Sequence, residues 1–285
     1  MSIGDKLNQV VVASRTALFI QGELTQLTYG AFDVVYRNVE SSSEDTITIE
    51  YPVGYRADRQ PLLSRLTYHK PELLERYNFL ASYQLATNGI FQLVTIVEAL
   101  LGDTVRLIVT KYPKKLGGKR TIPLELILQS VSLEEVHLKA VDALINDLSY
   151  LSPSDFADAV DKLFSVDLRE CASFHRYIEL KASRDVLIHN RGVANEIYLR
   201  KAGTHARVKS GHFLPVDIPY FLEAYEHCIQ LTEWLEEELH HQWHSEERET
   251  RRNRENVVED PGDEPAAVLE LKPKTRKNSK RAKKS

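Results

Sequence analysis

Between Ile90 and about Val109 apolar side chains occupy nearly the whole circumference of a helical wheel. A helix of that kind has no face to give to water and must be surrounded by other elements. The chain therefore needs a core built around this segment. It is no membrane span: the longest apolar candidate, Gly89 to Leu101, is broken by Gln92 and Glu98, and a span needs ~18 apolar residues or more. The second half, Val105 to Thr110, is rich in β-branched residues and stays open between helix and strand.

What would surround it is also helical. Pro71 suits a first helical turn, with Glu72 and Glu75 at the positive end of the helix, and apolar residues recur from Leu73 to Leu85 before Asn88-Gly89 interrupts. Ser132 with Glu135 forms a capping-box pattern opening a helix to about Leu148. Ser152-Pro153-Ser154-Asp155 opens another over Phe156–Phe164. A longer helix is expected from about Leu168 to Asn190, a short one from Val193 to Ala202 ending at Gly203, and a last long one after Asp217 as cap and Pro219. Residues 204–216 read as an irregular connector.

The first 70 residues read as an N-terminal helical extension packed on the body: one or two buried helices to about Arg37, with a break near Gly30. Thr46 to Tyr51 alternates as a strand does, and the irregular stretch Gly54–Pro61 leaves it without an evident partner. The expected fold class is all-α, with at most one minor β element. From residue 244 onward the composition is charged and nearly free of aromatics, as in disordered tails. Residues 272–285 carry eight cations and no acid, so the rest of the chain stands at −12 against −4 for the whole. An acidic body of that kind confines any nucleic-acid contact to a local basic cleft or to the tail. Only two cysteines occur, Cys171 and Cys228, with no CxxC and no secretory pattern at the N-terminus, so the chain reads as cytoplasmic, without a disulfide framework.

The residues that carry chemistry lie at the end of the Leu168–Asn190 pattern, in Arg184-Asp185-Val186-Leu187-Ile188-His189-Asn190-Arg191-Gly192. Asp185 and His189 are i and i+4 and share a face. Arg184 is about 140° round the helix from His189 and reaches it only through its length. Asn190 and Gly192 are residue types that tolerate the left-handed conformation closing a helix. An arginine that grips a phosphate oxygen beside a histidine that moves a proton suits phosphodiester cleavage. The same residues also arise as ordinary helix-end charge complementarity.

Arg184-x4-His189, with a polar residue directly after the arginine and Asn190 after the histidine, resembles the R-x(4–6)-H motif of the HEPN superfamily, and like it falls near the end of a late helix. The resemblance extends over roughly residues 70–243. It implies a HEPN-like helical bundle and a metal-independent endoribonuclease without cofactor, acting in a toxin–antitoxin, stress or anti-phage setting. It further implies a homodimer bringing two Arg184–His189 pairs into one cleft. RNA would be the substrate, and an antitoxin or regulatory protein a further partner. On that reading His189 is the general acid or base at a ribose 2′-hydroxyl, Arg184 holds the phosphate, and Asp185 fixes the imidazole tautomer. Asn190, Arg191 and Tyr198 are candidate RNA contacts, with Asn195, Arg200 and Lys201 nearby; Tyr198, Arg200 and Lys201 read equally as a packed tyrosine and two surface cations. Because some members of the superfamily only bind, the alternative expectation is a non-catalytic RNA- or protein-binding module with Arg184 and Asp185 in a structural ion pair.

Other features compete weakly. Lys114 to Arg120 is a basic Gly-Gly turn without Walker spacing, and no GxGxxG, HExxH or GxSxG pattern occurs. His240, His241 and His244 lack acids or cysteines at ligand spacing and read as a solvated helix end.

Overall fold

The computed structural model describes residues 2–116 and 124–243. The described residues all belong to one compact unit. The expected tail and its basic terminus, His244 and the Gly-Gly turn lie outside the described residues.

The described chain is mostly helical with one small antiparallel sheet. It opens with α1, Ile3–Ser41, a single helix of 39 residues. Ser2 and Asp5 close a capping box at its start, each side chain accepting from the other's backbone N–H. The break expected near Gly30 is absent. An interior glycine costs a helix only about 1 kcal/mol, which the seam of Leu7, Val11, Leu18 and Gly22 against later helices outweighs. Apart from that seam only Gly4, Thr25 and Val39 of α1 are buried. Ile20, Leu24 and Leu27 on the opposite side are 57–67% exposed, so α1 is not the buried element its composition predicted.

Strands β1, Thr46–Tyr55, and β2, Pro61–His69, form a hairpin that pairs Thr46 with His69 and Tyr55 with Pro61. The irregular stretch expected over Gly54–Pro61 is largely the turn of this hairpin, residues 56–60, and what the sequence did not show is the partner strand beyond it; the register shifts between Pro52 and Gly54. Helix α2, Lys70–Asn78, follows directly. Its chain continues through a π-helical turn, Phe79–Gln84, into α3, Leu85–Lys111. The interruption expected at Asn88-Gly89 is displaced upstream and becomes a widened turn rather than an end. Gly89 stays helical because the ring of Phe221 lies where its Cβ would be. The β-branched Val105–Thr110 half is helical too, with Val105, Ile108 and Val109 buried. Packing has overridden local strand preference there.

Around α3 stand α5, Leu133–Ser149, α6, Pro153–Phe164, α7, Ala172–His189, and α9, Ile218–Trp243, with the short α4, Leu124–Leu128, and α8, Glu196–Ala202. The local stop and start signals act as the sequence predicts. Ser132 accepts from Glu135 N at 3.1 Å, Ser152 from Asp155 N at 3.2 Å, and Asp217 from Tyr220 N at 2.9 Å. Gly203 closes α8 at φ 56°. Helix α7 begins at Ala172, after a 3₁₀ turn at Leu168–Glu170 that holds the preceding residues. No helix of the described residues is long and apolar enough to cross a membrane.

Candidate functional site

The last two turns of α7 face two elements, the middle of α3 and the start of α8. Between them runs a cleft of about 540 Å³ that Arg184, Asp185, His189 and Asn190 all line. The 3.6-residue repeat explains the grouping: Lys181, Arg184, Asp185 and His189 fall at i, i+3, i+4 and i+8 on α7.

A chain of alternating charges crosses the cleft. Glu98 of α3 pairs with Lys181 Nζ at 2.9 Å and accepts from Arg184 Nη2 at 2.7 Å. Arg184 Nε stands 3.4 Å from Asp185 Oδ1, and Lys201 of α8 donates to Asp185 Oδ2 at 3.0 Å. Three cations thus share two carboxylates, leaving a local positive excess on an otherwise acidic body. Arg184 Nε is buried and makes no hydrogen bond of proper geometry; its contact with Asp185 is an ion pair only. A guanidinium has five N–H donors, so Arg184 keeps donors beyond the one Glu98 takes. His189, the final residue of α7, is exposed at the rim.

Asp185 occupies the i−4 position relative to His189, yet its oxygens are engaged by Arg184 and Lys201 rather than by the imidazole. The tautomer-fixing arrangement expected from spacing is therefore not the one adopted. Lys201 reaches Asp185 because the loop after α7 folds α8 back across it. In that loop Asn190 keeps φ at −129° and its side-chain amide donates to the Val193 carbonyl, so it shapes the loop and is not the left-handed residue. Arg191 and Gly192 are, at φ 51° and 79°. Arg191 is exposed beside the cleft. Asn195 caps α8, accepting from Tyr198 N at 2.9 Å.

Tyr198 is 1% exposed, and its ring offers no open face for a base to stack on. Its hydroxyl belongs to a buried cluster centred on Glu179, one turn before the site on α7. Ser183, Tyr198 and Tyr220 each donate to that carboxylate, at 2.6, 2.8 and 2.9 Å. Arg207 N donates to the Tyr198 oxygen at 2.9 Å, and the Arg207 guanidinium lies 3.3 Å from the centroid of the Tyr220 ring. Burial pushes the Tyr198 hydroxyl up to about 12 and the Tyr220 hydroxyl well above its ordinary value. The cluster fixes α7 against α8 and α9, and through them the position of Lys201.

Sequence reasoning missed Glu98 and Glu179. Glu98 is 86 residues from Arg184 and sits in a segment that reads as core. Glu179 carried one usable signal, an acid amid the apolar residues of α7. The basic turn before residue 117 is partly structural: Lys115 Nζ donates to Leu163 O at 2.7 Å and stands over the Trp243 ring. Among the described residues no group of three or more His, Cys, Asp or Glu is placed to hold a metal ion. Cys171 and Cys228 are both buried and free, and burial pushes the Cys228 thiol up to about 12.

Comparison of the chain with protein-family models, with curated proteins and with solved structures finds no match.

Proposed function

We propose that the chain is a metal-independent endoribonuclease of HEPN type, cutting RNA in the cleft at the end of α7. The observation that carries this reading is the exposure of His189 on the same cleft as the Arg184 guanidinium. His189 moves the proton of the ribose 2′-hydroxyl. Arg184 holds the phosphate and stabilises the charge that develops on it. Asp185 and Glu98 hold Arg184 in place, and Lys181 and Lys201 supply further positive charge for the strand. The nucleophile is a group that DNA lacks. A homodimer would set two such clefts together, with the exposed apolar side of α1 as available surface. A role in a stress or anti-phage response, under an antitoxin or regulatory protein, belongs to the same proposal.

The test is cleavage of a mixed RNA pool, with chelator throughout, by wild type, Arg184→Ala and His189→Ala. Activity in the wild type alone, leaving 2′,3′-cyclic phosphate or 3′-phosphate ends, is the expected result. Products with 3′-hydroxyl ends, or equal cleavage by all three proteins, would refute it.

A second reading has its own observation. The pairing of Arg184 with Glu98 and Asp185 is what a structural ion pair in a non-catalytic RNA- or protein-binding module would look like. No cleavage by any of the three proteins, with RNA still bound, would favour that module.

A further inference from the structure

Helix α1 is apolar on two opposite sides, and the described residues cover only one of them. Leu7, Val11, Leu18 and Gly22 face α3 and α9. On the other side Ala13, Ala17, Ile20, Leu24, Leu27, Ala31 and Val34 follow one another at steps of four and three residues without a break. Ile20, Leu24, Leu27 and Val34 are 57–67% exposed, and Ala13 and Ala31 are exposed with them. A face that meets a globular core needs no such regularity. Strict alternation of four and three, about 3.5 residues on average, keeps a seam on a second helix laid alongside. From Ala13 to Val34 this one runs about 32 Å, at 1.5 Å per residue.

The flanks of the seam show what suits it. From Ser14 to Val35 the positions bordering it on either side hold a single charge, Glu23. A helix that lies on a lipid surface carries Lys and Arg on its polar side. The cations of α1 are Lys6, Arg15 and Arg37. Lys6 lies before the seam, and Arg15 and Arg37 are paired with Glu236 and Asp33. Flanks so poor in charge suit burial against protein instead. Together with Val35 the seam presents roughly 600 Å² per copy, so two copies would bury roughly 1,200 Å², the lower end of stable interfaces.

The order of large and small residues selects a second copy and its direction. With a two-fold axis between Leu24 and Leu27, Leu24 faces the partner's Leu27, Ile20 the partner's Ala31, and Ala17 the partner's Val34. Each alanine then meets a larger residue, and the layers interdigitate at one helix separation. In a parallel pair Ala13, Ala17 and Ala31 would each face their own copies. Helices close enough to pack those methyl layers would clash at the Ile and Leu layers between them.

We infer that α1 pairs antiparallel with α1 of a second copy, the axis passing between Leu24 and Leu27. This supplies an interface for the homodimer of the nuclease reading, yet it takes nothing from the cleft and stands apart from it.

Sedimentation equilibrium of the full chain reads the pairing across roughly 1–100 µM, since interfaces near this size reach micromolar affinity. Wild type is expected to be dimeric at the upper end. Leu24 is exposed, so Leu24→Glu leaves the fold intact while setting two carboxylates beside the axis. It should weaken association by about a hundredfold or more, with helix content unchanged. Phe19→Glu, on the same helix but off the seam and 48% exposed, should leave association as in wild type. Direction is read by mixing Ile20→Cys and Ala31→Cys chains of different tag length and oxidising them; Cys171 and Cys228 are buried. Disulfides should join unlike chains only. A wild type monomeric throughout, an unchanged dimer in Leu24→Glu, an equal loss in Phe19→Glu, or Ile20→Cys joined to itself overturns the inference. So does a monomer that sediments with phosphatidylglycerol vesicles, which would give the seam to lipid. A seam-dependent dimer that cuts no RNA leaves the pairing standing without the nuclease reading, and a monomer that cuts RNA does the reverse.

Discussion

Two glycines of the same helix should respond in opposite directions to the same substitution. A Cβ on Gly89 would lie 2.5 Å from Phe221 Cε2 and 2.6 Å from Cδ2. Carbon atoms pack best at about 3.5–4.0 Å, so the ring must retreat by about 1 Å. It has nowhere to go: Phe221 is 0% exposed and stacked on Tyr225, whose ring in turn fills the space beside Gly22 of α1. Forcing extra volume into a closed core of this kind costs about 1–3 kcal/mol. The helix gains about 1 kcal/mol from alanine at either position. Gly102→Ala meets no clash and keeps that gain, while Gly89→Ala should come out about 1–3 kcal/mol less stable than Gly102→Ala. In a domain of this size that is roughly 2–12 °C in melting temperature, at about 2–4 °C per kcal/mol. Urea titration and calorimetry on the two variants beside wild type measure it. A Gly89→Ala protein melting at or above Gly102→Ala would mean that α3 and α9 are not in the close approach described, and the packing argument would fail with it.

Removing the Glu179 carboxylate orphans three buried hydroxyls. Each would cost about 1–3 kcal/mol, partly offset because a buried carboxylate no longer has to be desolvated. Glu179→Leu should lose about 2–4 kcal/mol in urea unfolding and Glu179→Gln less, and a Glu179→Leu protein as stable as wild type would show that the cluster contributes nothing. Alkaline stability follows from the raised groups. The folded values of Cys228 and Tyr198, both about 12, lie above their ordinary 9.0 and 10.0, so the unfolded chain releases these protons first. Stability should be complete below about pH 9 and fall as pH rises toward 12. Each group contributes a loss of about 1.4 kcal/mol for every pH unit climbed between its unfolded and folded values. Unfolding followed by circular dichroism across pH 8–12 tests this, and a Tyr198→Phe protein with an unchanged slope above pH 10 would contradict the assignment. Glu98→Gln should retain the fold yet alter cleavage more than Lys201→Ala does, since Glu98 bonds Arg184 directly; measured with the RNA pool, equal effects would count against Glu98 as the positioning group.

What the chain discloses locally it discloses well. Ser132, Ser152 with Pro153, and Asp217 begin helices because capping is decided within four residues, and Gly203 ends one for the same reason. The pair Arg184 and His189 was legible because both sit in the last two turns of one helix, close enough in sequence to be read together, and both line the cleft. What escaped was set by distant partners. Strand β2 carries its own alternation, but nothing local tells Pro61–His69 to pair with Thr46–Tyr55. Gly89 reads as a helix breaker until Phe221, far along the chain, is seen to need its space. The Asp185–His189 hydrogen bond is allowed by spacing and lost in competition, because Lys201 is carried to the same carboxylate by a loop whose left-handed Arg191 no pattern announces. Tyr198 reads from sequence either as a stacking platform for a base or as a packed tyrosine beside two surface cations, and the buried carboxylate of Glu179 that decides for the second is not visible locally.

The seam on α1 has a consequence for how the protein comes into being. Leu7, Val11, Leu18 and Gly22 are covered by α3 and α9, the first helix of the domain being finished by the last. On a ribosome adding about 5–20 residues per second, the α9 half of that cover arrives on the order of ten seconds after α1 has emerged. During that interval the part of the seam that α9 covers stays bare, as do the outward Ile20, Leu24 and Leu27. A ribosome-bound chain stalled before Ile218 should therefore be held by chaperones or aggregate, and one released past Trp243 should not; ribosome-profiling of chaperone engagement would show the switch, or its absence. The contact that closes the core is in this sense also the clock for its synthesis.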